Sequence, residues 1–528
     1  MIITMYFYSP GEIICMKKRA ISFVLTAVLL ALALSALAGC GAKTEKAAIT
    51  RLEQLGEPGR KIGVGIGTGE DVAVRAAFPD AQIELCNNEY MGYTALTDGK
   101  LDAFAYGKLQ MELAIRNGLT GVTVLDGTIG EGNRVAVGLS PRSRIPDLKE
   151  KINAFIAEKQ AAGTLDDMYN RWVVLNDETM PDIKLPANPD VHLRVGTTGL
   201  VPPYTYYVGP ELCGYDIELA RRFAAWLGAD LEFMVYDYTG IIAAAQSGDV
   251  DCIMSELFVT PERAEAIPFS DTLFTLELGV MVRDTAEASG SFWASVANSF
   301  EKTFLRESRW KLFVQGIGTT LLVTVSSIVF GTALGFVVYL LCRKGNPFAN
   351  ALTRFCIRLV QGLPMVVLLM ILYYVVFAKA AISGAAVSVI GFTLVFGAAV
   401  SGMLRSGVGA VDKGQMEAAY TLGYTDTRAF FRVVLPQALP HFFPAYKGEI
   451  TATIKATAIV GYVAVQDLTK MGDIVRSRTY EAFFPLIAVA VFYFILADIL
   501  TAVVNRLGVF IDPRRRKPEH VLKGVRTE

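Results

Sequence analysis

EAAYTLGYTDTRAFFRVVLP, residues Glu417–Pro436, is the stretch on which the reading of this chain turns. It is polar and basic, yet it lies between hydrophobic segments. Glu417, Ala418 and Ala419 open a short helical run that Gly423 breaks, because glycine takes the left-handed backbone of a sharp turn without steric penalty. A second run, Thr427–Val434, is expected to stop at Leu435–Pro436, since proline lacks the amide that a helix interior needs. Two short helices joined by a glycine turn make a compact knob. The small alanines let another surface come close, and Glu417 sets a charge at one end. Composition alone is equally consistent with an ordinary loop between membrane helices. The spacing is more particular: EAA, three residues, Gly, nine residues, the aliphatic Val433, one residue, then Leu-Pro.

Around the knob the chain is strongly apolar. Spans of about 20 apolar residues each are expected near Leu312–Leu341, Ile357–Phe377, Ala385–Leu404, Phe442–Val465 and Phe484–Val504. Lysine and arginine fill the segments after the first span (Arg343, Lys344, Arg354, Arg358), after the third (Arg405, Lys413, Arg428, Arg432) and after the fifth (Arg514–Lys517). That bias makes these three segments cytoplasmic and places everything before the first span outside. The loop Gln466–Phe483 should also be outside, although it carries Lys470, Arg476 and Arg478 alongside Asp467, Asp473 and Glu481. Lys455 and Asp498 lie within apolar stretches, where a charge is costly and tends to be functional or paired.

The 528 residues exceed one domain, and 52% hydrophobic with 19% charged content fits a part-soluble, part-membrane protein. A net charge of −1 gives no case for nucleic acid. Three histidines and seven scattered cysteines, with no CxxC or HExxH spacing, leave little for a metal site. Lys17-Lys18-Arg19 followed by Ala20–Leu37 has the form of a signal peptide. The outer thiols Cys86, Cys213 and Cys252 are odd in number, so at most one of the three pairs is joined, and the choice stays open.

Between the leader and the first span, two stretches alternate strand and helix. KIGVGIG (Lys61–Gly67) opens the first, which runs to about Trp172; Leu193–Thr197 opens the second, which closes with Leu276–Val282. Val173–Val191 joins them and Ala286–Ser291 follows. This is the pattern of parallel-rich sheets covered by helices. Phe292, Trp293, Val296, Phe300 and Phe304 then recur at near-helical spacing, as in an amphipathic helix on a membrane surface.

The knob resembles the coupling loop of ABC-transporter permeases, which docks into a separate ATPase subunit. QGIGTTLLVT (Gln315–Thr324), VQGLP (Val360–Pro364) and KATAI (Lys455–Ile459) resemble further stretches of the polar amino acid permeases of that family, although Gln361 stands where Arg is usual and KATAI lacks the usual acid. Leu37-Ala38-Gly39-Cys40 resembles a lipobox, which implies lipidation at Cys40; an uncleaved anchor is the alternative. GLVPPYTY (Gly199–Tyr206), GYDIELA (Gly214–Ala220), YTGII (Tyr238–Ile242), TPERA (Thr260–Ala264) and FSD (Phe269–Asp271) resemble the first lobe of the type II solute-binding domains of such transporters. Lys61–Gly69, Ala95–Ala103 and GTLDDMYNRW (Gly163–Trp172) resemble the second lobe and its C-terminal helix.

The resemblance implies an α/β two-lobed periplasmic-binding-protein-like domain, circularly permuted because the second lobe comes first, followed by an all-α permease of about five spans. The division is then 16–40 leader, 60–172 lobe two with the C-terminal helix, 192–284 lobe one, 285–309 interfacial linker helix, 310–508 permease and 509–528 cytoplasmic tail. Two truncated binding domains, each lacking a lobe, is the competing arrangement. Permutation would cut one of the two hinge strands and leave a crossing near Gly138–Leu148.

For the cleft, the resemblance implies that Arg263 binds a carboxylate, that Thr68 and Gly69 add donors from the opposite lobe, and that Tyr204 and Tyr238 form aromatic walls. Two departures stand out. The ammonium-binding Asp is replaced by Gly107, and Phe258 stands where Ser or Thr is usual. Glu256, conversely, occupies a position that is commonly small. A buried carboxylate needs a partner: Glu256 replaces the missing acid toward an ammonium group, or it pairs with Arg263, or the ligand is not an α-amino acid.

No GxxxxGK[ST] phosphate loop occurs, and Gly63, Gly65, Gly67 and Gly69 do not fit GxGxxG. ATP therefore belongs on a partner, and this chain is expected to bind no cofactor of its own and to be no enzyme. The expected protein is a fused solute receptor and permease of an ABC importer in the bacterial plasma membrane, with its binding domain outside. Its expected partners are an ABC ATPase subunit, a second copy of itself through the permease, membrane lipid and an amino-acid solute. A ligand-gated channel would carry a pore segment between the lobes, and a sensor would carry an output domain after Asn505; both remain alternatives.

Overall fold

The computed structural model of the chain describes residues 48–511, apart from 67, 87, 239, 285–291, 344–346, 379, 381 and 482. The leader 16–40 with Cys40, the linker 285–291 and the tail from 512 lie outside the described residues.

Two five-stranded sheets form the water-facing part. The first runs β2 (Gln82–Cys86), β1 (Lys61–Gly65), β3 (Ala103–Gly107), β12 (Leu278–Arg283), β4 (Val122–Val124). β1 pairs parallel with β2 and β3, while β12 is antiparallel to β3 and β4. β3 is buried on both faces, and its side chains alternate as a strand requires. Ala103 and Ala105 join one core with Ile62, Val64 and Val280. Phe104 and Tyr106 join the other with Tyr93, Leu96 and Met281.

The second sheet runs β11 (Phe269–Leu276), β5 (Asn133–Leu139), β10 (Cys252–Ile253), β6 (Val191–Thr197), β9 (Ala229–Val235). A short hairpin, β7 (Tyr206–Val208) with β8 (Glu211–Cys213), stands beside it.

These sheets redraw the expected boundaries. β5 lies before residue 172, yet it pairs antiparallel with β10 and β11 of the second sheet, where Val135, Val137 and Leu139 enter the core. The helices Leu148–Ala161 and Thr164–Tyr169 follow it there. Phe155 packs on Phe223, and Trp172 donates from Nε1 to Glu218 Oε2 at 2.6 Å. Conversely β12, expected with lobe one, completes the first sheet. Lobe two is thus built from 61–124 and 278–283, and lobe one from 133–276. Two crossings join them, one between β4 and β5 and one at Glu277 between β11 and β12. The single crossing expected near Gly138–Leu148 is corrected: Gly138 is inside β5, held on both sides by antiparallel partners. Neither half of the chain owns a complete sheet.

Among the described residues, three helices are long and apolar enough to span: Trp310–Arg343, Gly384–Gly409 and Phe483–Arg506. Two further candidates are bent pairs, Asn350–Gly362 with Met365–Val376 at 110° and Asp426–Val463 with Leu468–Thr479 at 61°. The expected second span breaks at Gly362–Pro364, where proline forbids continuation and biases the residue before it away from helix. The expected fourth span is helix Leu435–Ala456, then a 3-10 stretch Thr457–Val463 that ends at Ala464 with φ of 57°.

The loop Gln466–Phe483 is mostly helix, Leu468–Thr479. Its basic residues face the lobes. Lys470 Nζ donates to the Tyr236 carbonyl at 2.9 Å and to Asp237 Oδ1 at 3.0 Å. Arg478 bonds Glu178 of lobe one and Glu307. Two of the three basic residues of this helix, Lys470 and Arg478, are therefore paired with carboxylates outside it. Lobe one and the spans also share an apolar core in which Ile241, Ala244 and Leu257 meet Leu369, Tyr373 and Val460.

Candidate functional site

A cavity of about 350 Å³ opens where the two lobes meet the membrane part, within the size range of small-molecule sites. Lobe two contributes Thr68, Glu89, Tyr90 and Tyr106; lobe one contributes Asp237, Tyr238, Glu256 and Phe258; the membrane part contributes Tyr462, Thr469, Asp473 and Arg476.

Glu256 is 3% exposed and sits at φ of 48°, a conformation uncommon for a residue with a side chain. Its amide donates to Asp216 Oδ2 at 2.6 Å, which fixes the turn. Its carboxyl reaches across the cleft: Tyr106 donates its hydroxyl to Oε2 at 3.0 Å, and the Gln110 amide bonds Oε1. It does not pair with Arg263. Burial first, then repulsion from Glu89 and Glu70, holds the Glu256 carboxyl well above the usual carboxylate range. Burial likewise pushes Asp216 up to about 7, against the hydrogen bond from the Glu256 amide.

Gln110 explains the departure at Gly107. A Cβ at Gly107 would meet Gln110 Oε1 at 1.7 Å. The missing side chain leaves room for the Gln110 amide, one turn into the following helix, to fold over the strand end toward Glu256.

Arg263 is one layer behind the cavity wall. It donates from Nη2 to the Tyr238 hydroxyl at 2.6 Å and from Nη1 to the Phe258 carbonyl at 3.2 Å, with its guanidinium 5.3 Å from the Tyr238 ring centre. Thr68 lines the cavity and donates its hydroxyl to the Gly65 carbonyl at 2.8 Å. Gly69 lies against Asn133, whose Oδ1 would be 1.9 Å from an added Cβ. Tyr204 is placed elsewhere: fully buried in lobe one, it stacks on Phe274 at 5.4 Å and meets Tyr215 edge-on. It belongs to the core and does not line the cavity. The reason is local, since the turn Val201–Thr205 folds its side chain inward.

Three residues at or behind the cavity wall carried no signal in the sequence. Glu89 opens helix Glu89–Thr97 and is 8% exposed; burial pushes its carboxyl up to about 7. Arg476 comes from helix Leu468–Thr479, lies 4.7 Å from the Tyr90 ring centre and donates to Asp473 at 2.9 Å. Gln110 is the third.

The knob is a second site. Helix Gly414–Thr421 ends at Gly423, with φ of 81°, and the Thr425 side chain caps helix Asp426–Ala429 by accepting from the Arg428 amide. Glu417, Ala418, Tyr420, Leu422 and Phe431 are exposed, while Ala419 and Phe430 are buried. Arg343, at the end of the first span, braces the knob through Asp426 at 2.7 Å and lies 4.4 Å from the Phe430 ring centre. The expected stop at Leu435–Pro436 is corrected: the π-helical turn Phe430–Val434 runs directly into helix Leu435–Ala456, with Pro436 at the junction.

Residues 193–419 match the family model of bacterial extracellular solute-binding proteins, family 3. Residues 327–517 match that of the binding-protein-dependent transport system inner membrane component. Over 193 residues the chain is 33% identical to the putative glutamine transport system permease protein GlnP of Rickettsia felis, covering 36% of this chain and 87% of that protein. It is 32% identical over 186 residues to the L-cystine transport system permease protein TcyL of Bacillus subtilis, covering 34% of this chain and 78% of the relative. A solved amino acid ABC transporter, crystallised with histidines, is 28% identical, covers 43% of this chain and all (100%) of its own, and has a TM-score of 0.36. The chain belongs to the binding-protein-dependent transport system inner membrane components, as a permease and not a catalytic subunit, with a family 3 solute-binding domain fused ahead of it.

Proposed function

We propose that this chain captures a polar amino acid outside the bacterial plasma membrane and passes it through its own spans, as the receptor and permease of an ABC importer whose ATPase is a separate chain. The permease relatives named for glutamine and cystine support the solute class. The observation that carries the reading is the shared cavity: its walls come from both lobes and from the outer membrane helix Leu468–Thr479. A solute held there already touches the permease, so release is directed inward.

In this reading Glu256 accepts the solute ammonium, Tyr238 and Thr68 flank it, and Gly69 lets Asn133 pack close behind Thr68. Arg263 acts as a positioning residue that braces Tyr238 and Phe258. The lobes close about their two crossings. ATP on the partner moves the knob, where Leu422 is 77% exposed, and the motion switches access. Lobe two is tied by lipid at Cys40 and, through β12, to the spans, which keeps capture intramolecular. Lys455 and Asp498 are exposed on the membrane helices of the single chain, and a second copy of the permease would shelter them.

The test is reconstitution in lipid vesicles with and without the ATPase. Amino acid should accumulate only with ATPase and ATP, and Leu422→Glu should remove both ATPase copurification and uptake. Equal accumulation without any ATPase overturns the reading.

A further inference from the structure

Two carboxylates on the cavity wall already have counterions. Asp237 is paired with Lys470 at 3.0 Å and Asp473 with Arg476 at 2.9 Å. Glu256 receives two neutral donors, Tyr106 and Gln110. Glu89 is different. It is more than nine-tenths buried, lines the cavity, and its Oε1 has no hydrogen-bond partner among the described residues. A buried carboxyl left this way is costly unless something supplies the missing donor. Among the described residues no group of His, Cys, Asp and Glu could hold a metal ion, and an organic cation would supply the donor. The wall beside it suits an aliphatic amine: Tyr90, Phe104 and Tyr106 offer ring surface for a methylene chain. Arg476 lines the same cavity, and its buried Nε has no acceptor, which leaves a donor for a carboxylate.

We propose that Glu89 selects the solute: it accepts the side-chain amine of a basic amino acid, while Glu256 takes the α-ammonium and Arg476 of the outer helix takes the carboxylate. This rests on the amino-acid importer reading above and narrows its solute to the diamino class. The permease thereby supplies one of the three contacts, so a solute is fully held only when lobes and spans are docked.

The experiment is calorimetric titration of the full-length protein in lipid nanodiscs with L-lysine and with L-glutamine near neutral pH. Lysine should bind at least about tenfold more tightly than glutamine. Glu89→Gln, nearly the same shape, should lower the lysine-to-glutamine affinity ratio at least about tenfold. The wild-type ratio does not depend on the variant folding. Equal or tighter binding of glutamine by the wild type, or an unchanged ratio in Glu89→Gln, overturns the assignment of Glu89 while leaving the amino-acid reading intact. Failure of the wild type to bind either probe, or any other amino acid, overturns both.

Discussion

Glu89 is a group whose folded environment disfavours its charge. Its ordinary titration value of 4.5 rises to about 7 through burial. Tyr93, Tyr480 and Glu256 crowd the same region, and their own titrations all feel its charge. Between these two values the folded chain keeps a proton that the unfolded chain has lost. Stability therefore falls as pH rises through that window, and the full penalty is present above it. At about pH 8.5, Glu89→Gln should stabilise the ligand-free protein by on the order of 3 kcal/mol, and at about pH 5 by less than about 1 kcal/mol. Thermal melts at the two pH values check this, and an equal effect at both would show that the gain has nothing to do with ionisation. Some of this site was legible in the residues alone. Gly107 and Glu256 stood out because each broke a pattern. Glu89 and Gln110 did not, because a polar residue in the first turn of a helix usually faces water, and only the packing of lobe on lobe buries these two.

At the scale of elements, the knob was legible because its chemistry is local. Gly423 must take a positive φ, and nothing in the structure lies within 4 Å of a Cβ placed there. Gly423→Ala therefore adds backbone strain without a clash, about 1–2 kcal/mol, concentrated in the turn between the two short helices. Solute binding, made in the distant lobes, should be unchanged, whereas solute-stimulated ATP hydrolysis in reconstituted vesicles should drop several-fold. Normal stimulation would mean that the turn angle does not carry the coupling. Elsewhere the elements were less legible. Hydropathy reports how many apolar residues are consecutive but not where the axis turns, so the 110° break at Gly362–Pro364 was hidden inside one expected span. Pro436 misled as well: proline kinks or breaks a helix interior, yet here the π-helical turn Phe430–Val434 passes directly into helix Leu435–Ala456.

For the whole molecule, the two-lobed α/β class and the membrane part followed from alternation and apolar runs, which every short window displays. The way the parts sit together did not, because it depends on pairs far apart in the chain: β5 finds β11, and Lys470 finds Asp237 across 233 positions. That second pair offers the sharpest test of docking. The Lys470 side chain is 2% exposed and that of Asp237 is 32% exposed, so the two ends of the pair are unequal. Removing the acid leaves a buried ammonium with only the Tyr236 carbonyl, whereas removing the ammonium leaves a carboxylate that water can reach. Asp237→Asn should therefore cost on the order of 3 kcal/mol and loosen lobe one from the spans. Lys470→Met, which keeps most of the apolar stem, should cost clearly less. Adding Lys470→Met to Asp237→Asn should recover stability relative to Asp237→Asn alone, because the stranded charge is gone. Melting of the three variants in nanodiscs, with hydrogen exchange at β9 and Leu468–Thr479 to report docking, measures each step. Purely additive losses, or a smaller loss for Asp237→Asn than for Lys470→Met, would mean that the lobes are held to the permease by the shared apolar core around Ile241 and Tyr373 and not by this pair.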